Sequence, residues 1–297
     1  MRTFLFFALL LGSSAAGLLS CTKEVTVAPN PYEPKVSIEC VLVPDSLPKL
    51  YLTRSRSYLG TDVNTLRDAI AGASVVITED GVPETLQPGS FFNYNTCLTE
   101  YFYRGRRRVR AGHDYGLSVV ADGQTYTATT STKITPVQIT AVEYLPVFTD
   151  VYGEHEGVKV SFRDPAGERN FYRFEMARTL VHSRPRYEGD TNRYCYRAPF
   201  RDEEIGRSVY KDDATDGQEM SIVIEPANTH KPGDVGTIRL QTLDPASARF
   251  FDQLDRQKLA LTNPFVEPVF LKTEIPGAIG VFGAVNQSVP VSFTFPQ

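Results

Sequence analysis

Tryptophan is absent, methionine occurs three times, and cysteine and histidine four times each. Lack of tryptophan removes the ring that sugar-binding platforms often use. His113, His155, His182 and His230 stand singly, none at helical metal-binding spacing, and read as loop or surface residues. Basic excess is lacking too, with 31 Lys and Arg against 35 Asp and Glu. That balance argues against nucleic acid, which requires a basic face. No serine stands in a nucleophile elbow, and Glu203-Glu204 lies in a charged loop without the marks of an acid/base couple. The sequence therefore predicts no catalytic residue, no metal and no cofactor. Beyond residue 20 there is no long apolar run, so no second segment could span a membrane.

The one long apolar run stands at the start. Met1-Arg2 is basic, Phe4 to Leu11 is unbroken apolar chain, and small residues follow to Gly17. This is the three-part organisation of a secretory signal peptide, too short to cross a bilayer as a helix. Leu18-Leu19-Ser20-Cys21 looks like a lipobox, which makes residues 1–20 the signal and Cys21 the lipidated residue. An ordinary signal peptide with a chance cysteine is the competing reading. Acyl chains contribute about 0.8 kcal/mol per buried methylene, so several chains would hold the protein permanently. Residues 21–34 lack apolar periodicity and read as a tether. Lys23-Glu24 resembles the export signal of Bacteroidota surface lipoproteins, so the expected place is the outer membrane, lipid-anchored and surface-exposed. A periplasm-facing position is the alternative.

About 277 residues remain after cleavage, a length for two domains. Strand signals recur roughly every ten residues from Val36 to Thr130, separated by Asp80-Gly81, Pro88-Gly89 and Asp122-Gly123. Short strands at this spacing predict a sandwich over 35–135. Ala111 to Val119 looks like the corner of immunoglobulin-like and fibronectin-like domains, with Tyr115 bonding back to the main chain. Residues 136–297 form a larger β-rich block. Val158–Phe162, the Asp164–Gly167 turn and Phe171–Met176 read as a hairpin, and later strands fall at 220–224, 235–243, 281–285 and 289–295. One helix is expected near 245–259, with Asp244 as N-cap, Pro245 in the first turn and Phe250, Phe251 and Leu254 packing on a sheet. The fold class is all-β.

The ordered features resemble an uncharacterised Bacteroidota lipoprotein family, a domain of unknown function often encoded beside TonB-dependent outer-membrane receptors. They are the lipobox cysteine, Leu52-Thr53-Arg54-Ser55, Gly72 to Ile77, Tyr115 to Val119, Asp164-Pro165 with Asn170-Phe171-Tyr172, the helix near Phe250, and Asn263-Pro264-Phe265. The closing segment Gly277 to Ala284 is the most specific match, and Cys40 departs from an expected small residue such as glycine. The resemblance implies a surface lipoprotein, an accessory to a TonB-dependent β-barrel receptor, without catalytic residues. Alternatives are a stand-alone glycan- or peptide-binding module and, behind it, an envelope-polymer hydrolase.

Gly277, Gly280 and Gly283 lack the spacing of a dinucleotide fingerprint and read as a tight turn entering a late strand. Asp212 to Glu219 resembles a calcium loop, but Ala214 stands where an oxygen ligand belongs, and a solvated acidic turn is preferred. Cys40 reads as a core residue, while Cys97 and Cys195 could form a bridge in an oxidising compartment. Arg104, Arg106, Arg107, Arg108 and Arg110 form a basic run that would suit an anionic surface, although solvation at a turn is the plainer reading. The loop 181–216 is long, and its Tyr187, Arg193, Tyr194, Tyr196 and Arg197 have the aromatic–arginine mixture of binding hot spots. An insertion packing its tyrosines onto the sheet is the competing reading.

Overall fold

The computed structural model describes residues 32–56, 68–93, 98–150, 153–180, 200–205, 209–226, 230–263, 265–267, 269 and 271–296. The chain divides into a leading unit, Met1–Glu33, and a compact one, Pro34–Gln297. The expected signal peptide and Cys21 lie outside the described residues.

The first half supplies β1 (Val36–Leu42), β2 (Lys49–Arg54), β3 (Ser74–Glu79), β4 (Val82–Thr85), β5 (Gln87–Asn93), β6 (Leu98–Arg104), β7 (Asp114–Ala121) and β8 (Gln124–Ser131). The second supplies β9 (Ile139–Asp150), β10 (Gly153–Arg163), β11 (Phe171–Leu180), β12 (Phe200–Ile205), β13 (Tyr210–Lys211), β14 (Glu219–Ile224) and β15 (Val235–Leu243). A helix, α1 (Pro245–Thr262), then leads to β16 (Ile279–Gln287) and β17 (Val291–Thr294). The fold is all-β, as the sequence predicts.

The largest sheet holds ten strands, eight of them in the order β12-β11-β15-β16-β1-β2-β6-β5, with β13 on β11 and β17 on β15. It therefore crosses the boundary expected at residue 135. The link is β1, which pairs with β2 antiparallel and with β16 parallel, Ser37 to Leu42 against Ile279 to Ala284. Alternation divides this sheet into two faces. Ile38, Cys40, Leu50, Leu52, Tyr103, Phe282 and Ala284 point to one side and pack under the four-stranded sheet β4-β3-β7-β8, with Val75, Ile77, Leu117, Val119 and Tyr126. Strands 35–135 thus make a two-layer sandwich that borrows β16 from the other end of the chain.

Further along the same face, the three-stranded sheet β14-β10-β9 covers β11 and β15. Val158, Val160 and Ile224 meet Met176 and Ile238, while Phe162 and Ile222 meet Tyr172 and Leu240. The segment expected to be a hairpin is therefore an arch: β10 pairs with β9 and β14, β11 with β12, β13 and β15. The Phe162 and Tyr172 rings meet across the layers, tilted by 59° with 4.7 Å between centroids. Both arms alternate toward one core, and a connection of seven residues is long enough to change sheets.

Two Asp-Gly turns behave as local chemistry dictates. Asp80 and Gly81 have φ of 47° and 85°, Asp122 and Gly123 of 51° and 74°. Each pair closes a two-residue hairpin, β3-β4 and β7-β8, with both central residues left-handed. Pro88-Gly89, read as a turn, lies inside β5 instead. That strand ends the large sheet, where a proline is tolerated.

The opposite face of the large sheet carries α1. Asp244 caps it, accepting the Ser247 N–H at 2.9 Å, and Pro245 opens it. Ala248 and Phe251 pack on Phe171, Leu243, Val285 and Val41. Gly283 makes the close approach possible, since a Cβ there would run into Ser247 and Asp244.

Candidate functional site

β15 and β16 pair only from Gln241 to Leu243 against Gln287 to Val285. Ahead of those rows β16 runs along β1 alone, and the sheet opens. Through that opening the start of α1 comes close to the edge strand β8, whose Thr130 hydroxyl donates to Asp244 Oδ2 at 3.0 Å. The result is a cleft of about 650 Å³. Its apolar lining is Leu117, Ala128, Phe250, Ile275, Val281 and Phe282, and Thr78, Thr127, Thr129 and Ser118 add hydroxyls.

Charge enters this cleft from α1 and from the segment that leads into β16. Arg249 pairs with Glu274, and the Lys272 N–H donates to Gln253 Oε1 at 2.7 Å. Gly280 shapes the wall. Its φ is +124°, and a Cβ would overlap the Ile38 carbonyl oxygen, so only glycine lets β16 lie on β1 here. The glycine-rich segment therefore enters a late strand by a turn, and it also builds one side of the cleft. Among the described residues of the lining Glu274 is the one carboxylate, and it pairs with Arg249. An amphipathic groove with an ion pair in its lining can hold a ligand by apolar burial and hydroxyl hydrogen bonds.

The basic run lies at another corner of the molecule. Arg107 reaches Glu84 and the Val82 carbonyl, Arg108 the Asp45 carbonyl, and Arg110 Glu79 at 2.8 Å. The main-chain N–H groups of Arg106 and Arg107 both donate to Glu84 Oε1. Arg106, Arg107 and Arg110 thus tie the β6–β7 connection to the β3-β4 hairpin, and Arg108 ties it to the β1–β2 connection. Arg104 alone of the five is part of a strand, on the open face of the large sheet. Tyr115 forms the expected corner: its hydroxyl accepts the Arg110 N–H at 2.8 Å and donates to Glu79 Oε1 at 2.6 Å. Burial, then that carboxylate, pushes its pKa up to about 12.

A second cluster escaped sequence reasoning because its members are far apart. Carboxylate oxygens of Asp164, Asp212 and Asp216 lie within 4.8 Å of one another. Tyr172 donates its hydroxyl to Asp164, and main-chain N–H groups donate to all three: Gly217 to Asp164, Asn170 to Asp212, Gly167 to Asp216. The carboxylates clasp the β10–β11 arch to the turn before β14. Asp212 and Asp216 belong to the acidic stretch that resembles a calcium loop. Asp164, buried at the arch, has no local signal linking it to them.

Cys40 is a free, buried thiol beneath the four-stranded sheet, and burial pushes its pKa up. Cys97 and Cys195 lie outside the described residues, as do Tyr187, Arg193, Tyr194, Tyr196 and Arg197 of the long loop. Of that loop, 200–205 forms strand β12 on β11, and 209–216 includes β13 and the acidic turn. Among the described residues no helix is long and apolar enough to cross a membrane. No curated protein matches the chain. A family does: over residues 22–289, from just after Cys21 to beyond the glycine-rich wall of the cleft, the chain belongs to the family described as Domain of unknown function (DUF4249).

Proposed function

We propose that the protein is a non-catalytic lipoprotein of the outer-membrane surface, an accessory of a TonB-dependent receptor in nutrient capture. The cleft between α1, β8 and residues 272–282 carries this reading, because its lining combines apolar floor, hydroxyls and a fixed ion pair in an open groove. Such a groove suits an exposed segment of a partner protein. The lipobox-like Leu18-Leu19-Ser20-Cys21 supports an anchor that confines the protein to the membrane holding the receptor. Confinement raises effective concentration, so a modest contact suffices.

The test is affinity capture of the tagged, lipidated protein from its native outer membrane, with Cys21→Ala and Phe250→Ala/Arg249→Ala as controls. Recovery of one β-barrel receptor in near-equal amount, lost with the cleft variant, is the expected result. Recovery of the protein alone would overturn the accessory role and move weight to a stand-alone binding module.

A further inference from the structure

The helix covers only part of its face of the large sheet. Beyond it, toward the β5 edge, that face carries side chains from three neighbouring strands. Register puts Lys49 opposite Arg104, Gly89 opposite Phe102 and Phe91 opposite Glu100. Tyr51, two residues after Lys49, points the same way. A Cβ at Gly89 would come within 2.9 Å of Phe102, so the missing side chain lets that ring settle over β5. Phe91 is tilted beside it at 6.0 Å, and Tyr51 stands edge-on at 6.3 Å. Phe91 is 42 % exposed.

The Lys49 ammonium lies 4.3 to 4.7 Å from the centroids of Phe91, Phe102 and Tyr51. Its nearest carboxylate, on Glu100, is 3.8 Å away, beyond hydrogen-bond reach. Glu100 is itself fixed, receiving the Tyr51 hydroxyl at 2.8 Å and the Asn93 amide at 2.6 Å. At the other end two cations, Lys49 and Arg104, stand directly across from each other. Like charges in that position are destabilising in an empty sheet. An anionic group beside them would offset the repulsion, adding to the Glu100 ion pair of Lys49 and using the Arg104 guanidinium, which pairs with no side chain among the described residues.

We propose that Lys49, Arg104, Tyr51, Phe91, Phe102 and Glu100 form a binding platform for an acidic oligosaccharide, a chain containing uronate units. The carboxylate of one unit is held by Lys49 and Arg104. Its pyranose C–H groups stack on the exposed Phe91 ring, which Phe102 backs, and hydroxyls of the next unit donate to Glu100. Glu39 and Glu100 stand on the same face, so the site takes an anion only where Lys49 and Arg104 meet it directly. Nothing in this depends on a receptor or on the cleft.

The purified full-length protein, in detergent micelles, is run in native gels containing polygalacturonate, dextran or nothing. Polygalacturonate is expected to retard it and dextran to leave it unmoved. Phe91→Ala and the pair Lys49→Met/Arg104→Gln are each expected to weaken the retardation at least tenfold, read as the polymer concentration for half effect. Phe91 is an exposed side chain, and thermal melts of each variant establish that folding is kept. No retardation, equal retardation by dextran, stronger binding to single-stranded polythymidine, or variants that behave as the parent protein would each overturn the platform. Receptor capture tests the other proposal separately, because Phe91→Ala leaves the cleft intact.

Discussion

Tyr115 and Arg110 are joined through the phenol oxygen, which accepts the main-chain N–H of the residue five positions earlier at 2.8 Å. The same hydroxyl donates to Glu79 on β3. One side chain thereby fixes both the entry into β7 and its neighbour strand. Replacing Tyr115 by Phe leaves the ring, orphans the Arg110 main-chain donor and removes one of the two side-chain hydrogen bonds to Glu79. The expected loss is about 1–3 kcal/mol, read from the shift in urea midpoint at unchanged slope.

The same trio predicts an acid limb in stability. Hydrogen bonding to Arg110, and then to Tyr115, holds the Glu79 carboxyl below its ordinary value of 4.5. A depressed carboxyl contributes fully above the unfolded value and loses its contribution as pH falls through the folded one. The stability gap between the parent protein and Glu79→Gln is therefore expected to be constant above about pH 6 and to shrink below pH 4.5. A gap that persists unchanged to pH 3 would remove Glu79 as its source.

Gly280 and Gly283 differ in what a methyl group would meet. At Gly280 it is backbone, the Ile38 carbonyl, in a positive-φ conformation; at Gly283 it is chiefly the Ser247 side chain. Gly280→Ala is expected to cost about 4 kcal/mol or more, enough to leave the protein insoluble or unfolded. Gly283→Ala should cost less, because a hydroxyl can rotate. Denaturation midpoints of the two variants decide the order.

The three aspartates of the arch give opposite expectations for a ligand site and for a clasp. Each already accepts a main-chain N–H. Chelator and added calcium should both leave the melting midpoint unmoved, whereas Asp164→Ala should lower stability by about 2–4 kcal/mol by orphaning the Tyr172 hydroxyl and the Gly217 N–H. A midpoint that rises with calcium would mean that the cluster holds the ion.

Legibility followed distance along the chain. The Asp80-Gly81 and Asp122-Gly123 hairpins, the Asp244 cap and strand β15 are short-range chemistry, and each is readable from a few adjacent residues. The arch between β10 and β11 reads as a hairpin in sequence because alternation reports a buried face without naming the partner strand. Pro88-Gly89 reads as a turn because nothing local reveals an edge. Sites suffered most. The cleft joins residues 78, 116–118, 127–129, 246–253 and 272–282, and the ring cluster around Lys49 needs the register of β2, β5 and β6, which only the folded sheet supplies.

The parallel pairing of β1 with β16 has a mechanical consequence. Val36 begins a strand flanked by β2 on one side and β16 on the other, near the middle of the largest sheet. A pull on the chain upstream of Val36 runs along β1 and must shear both ladders together, rather than peel an edge strand one hydrogen bond at a time.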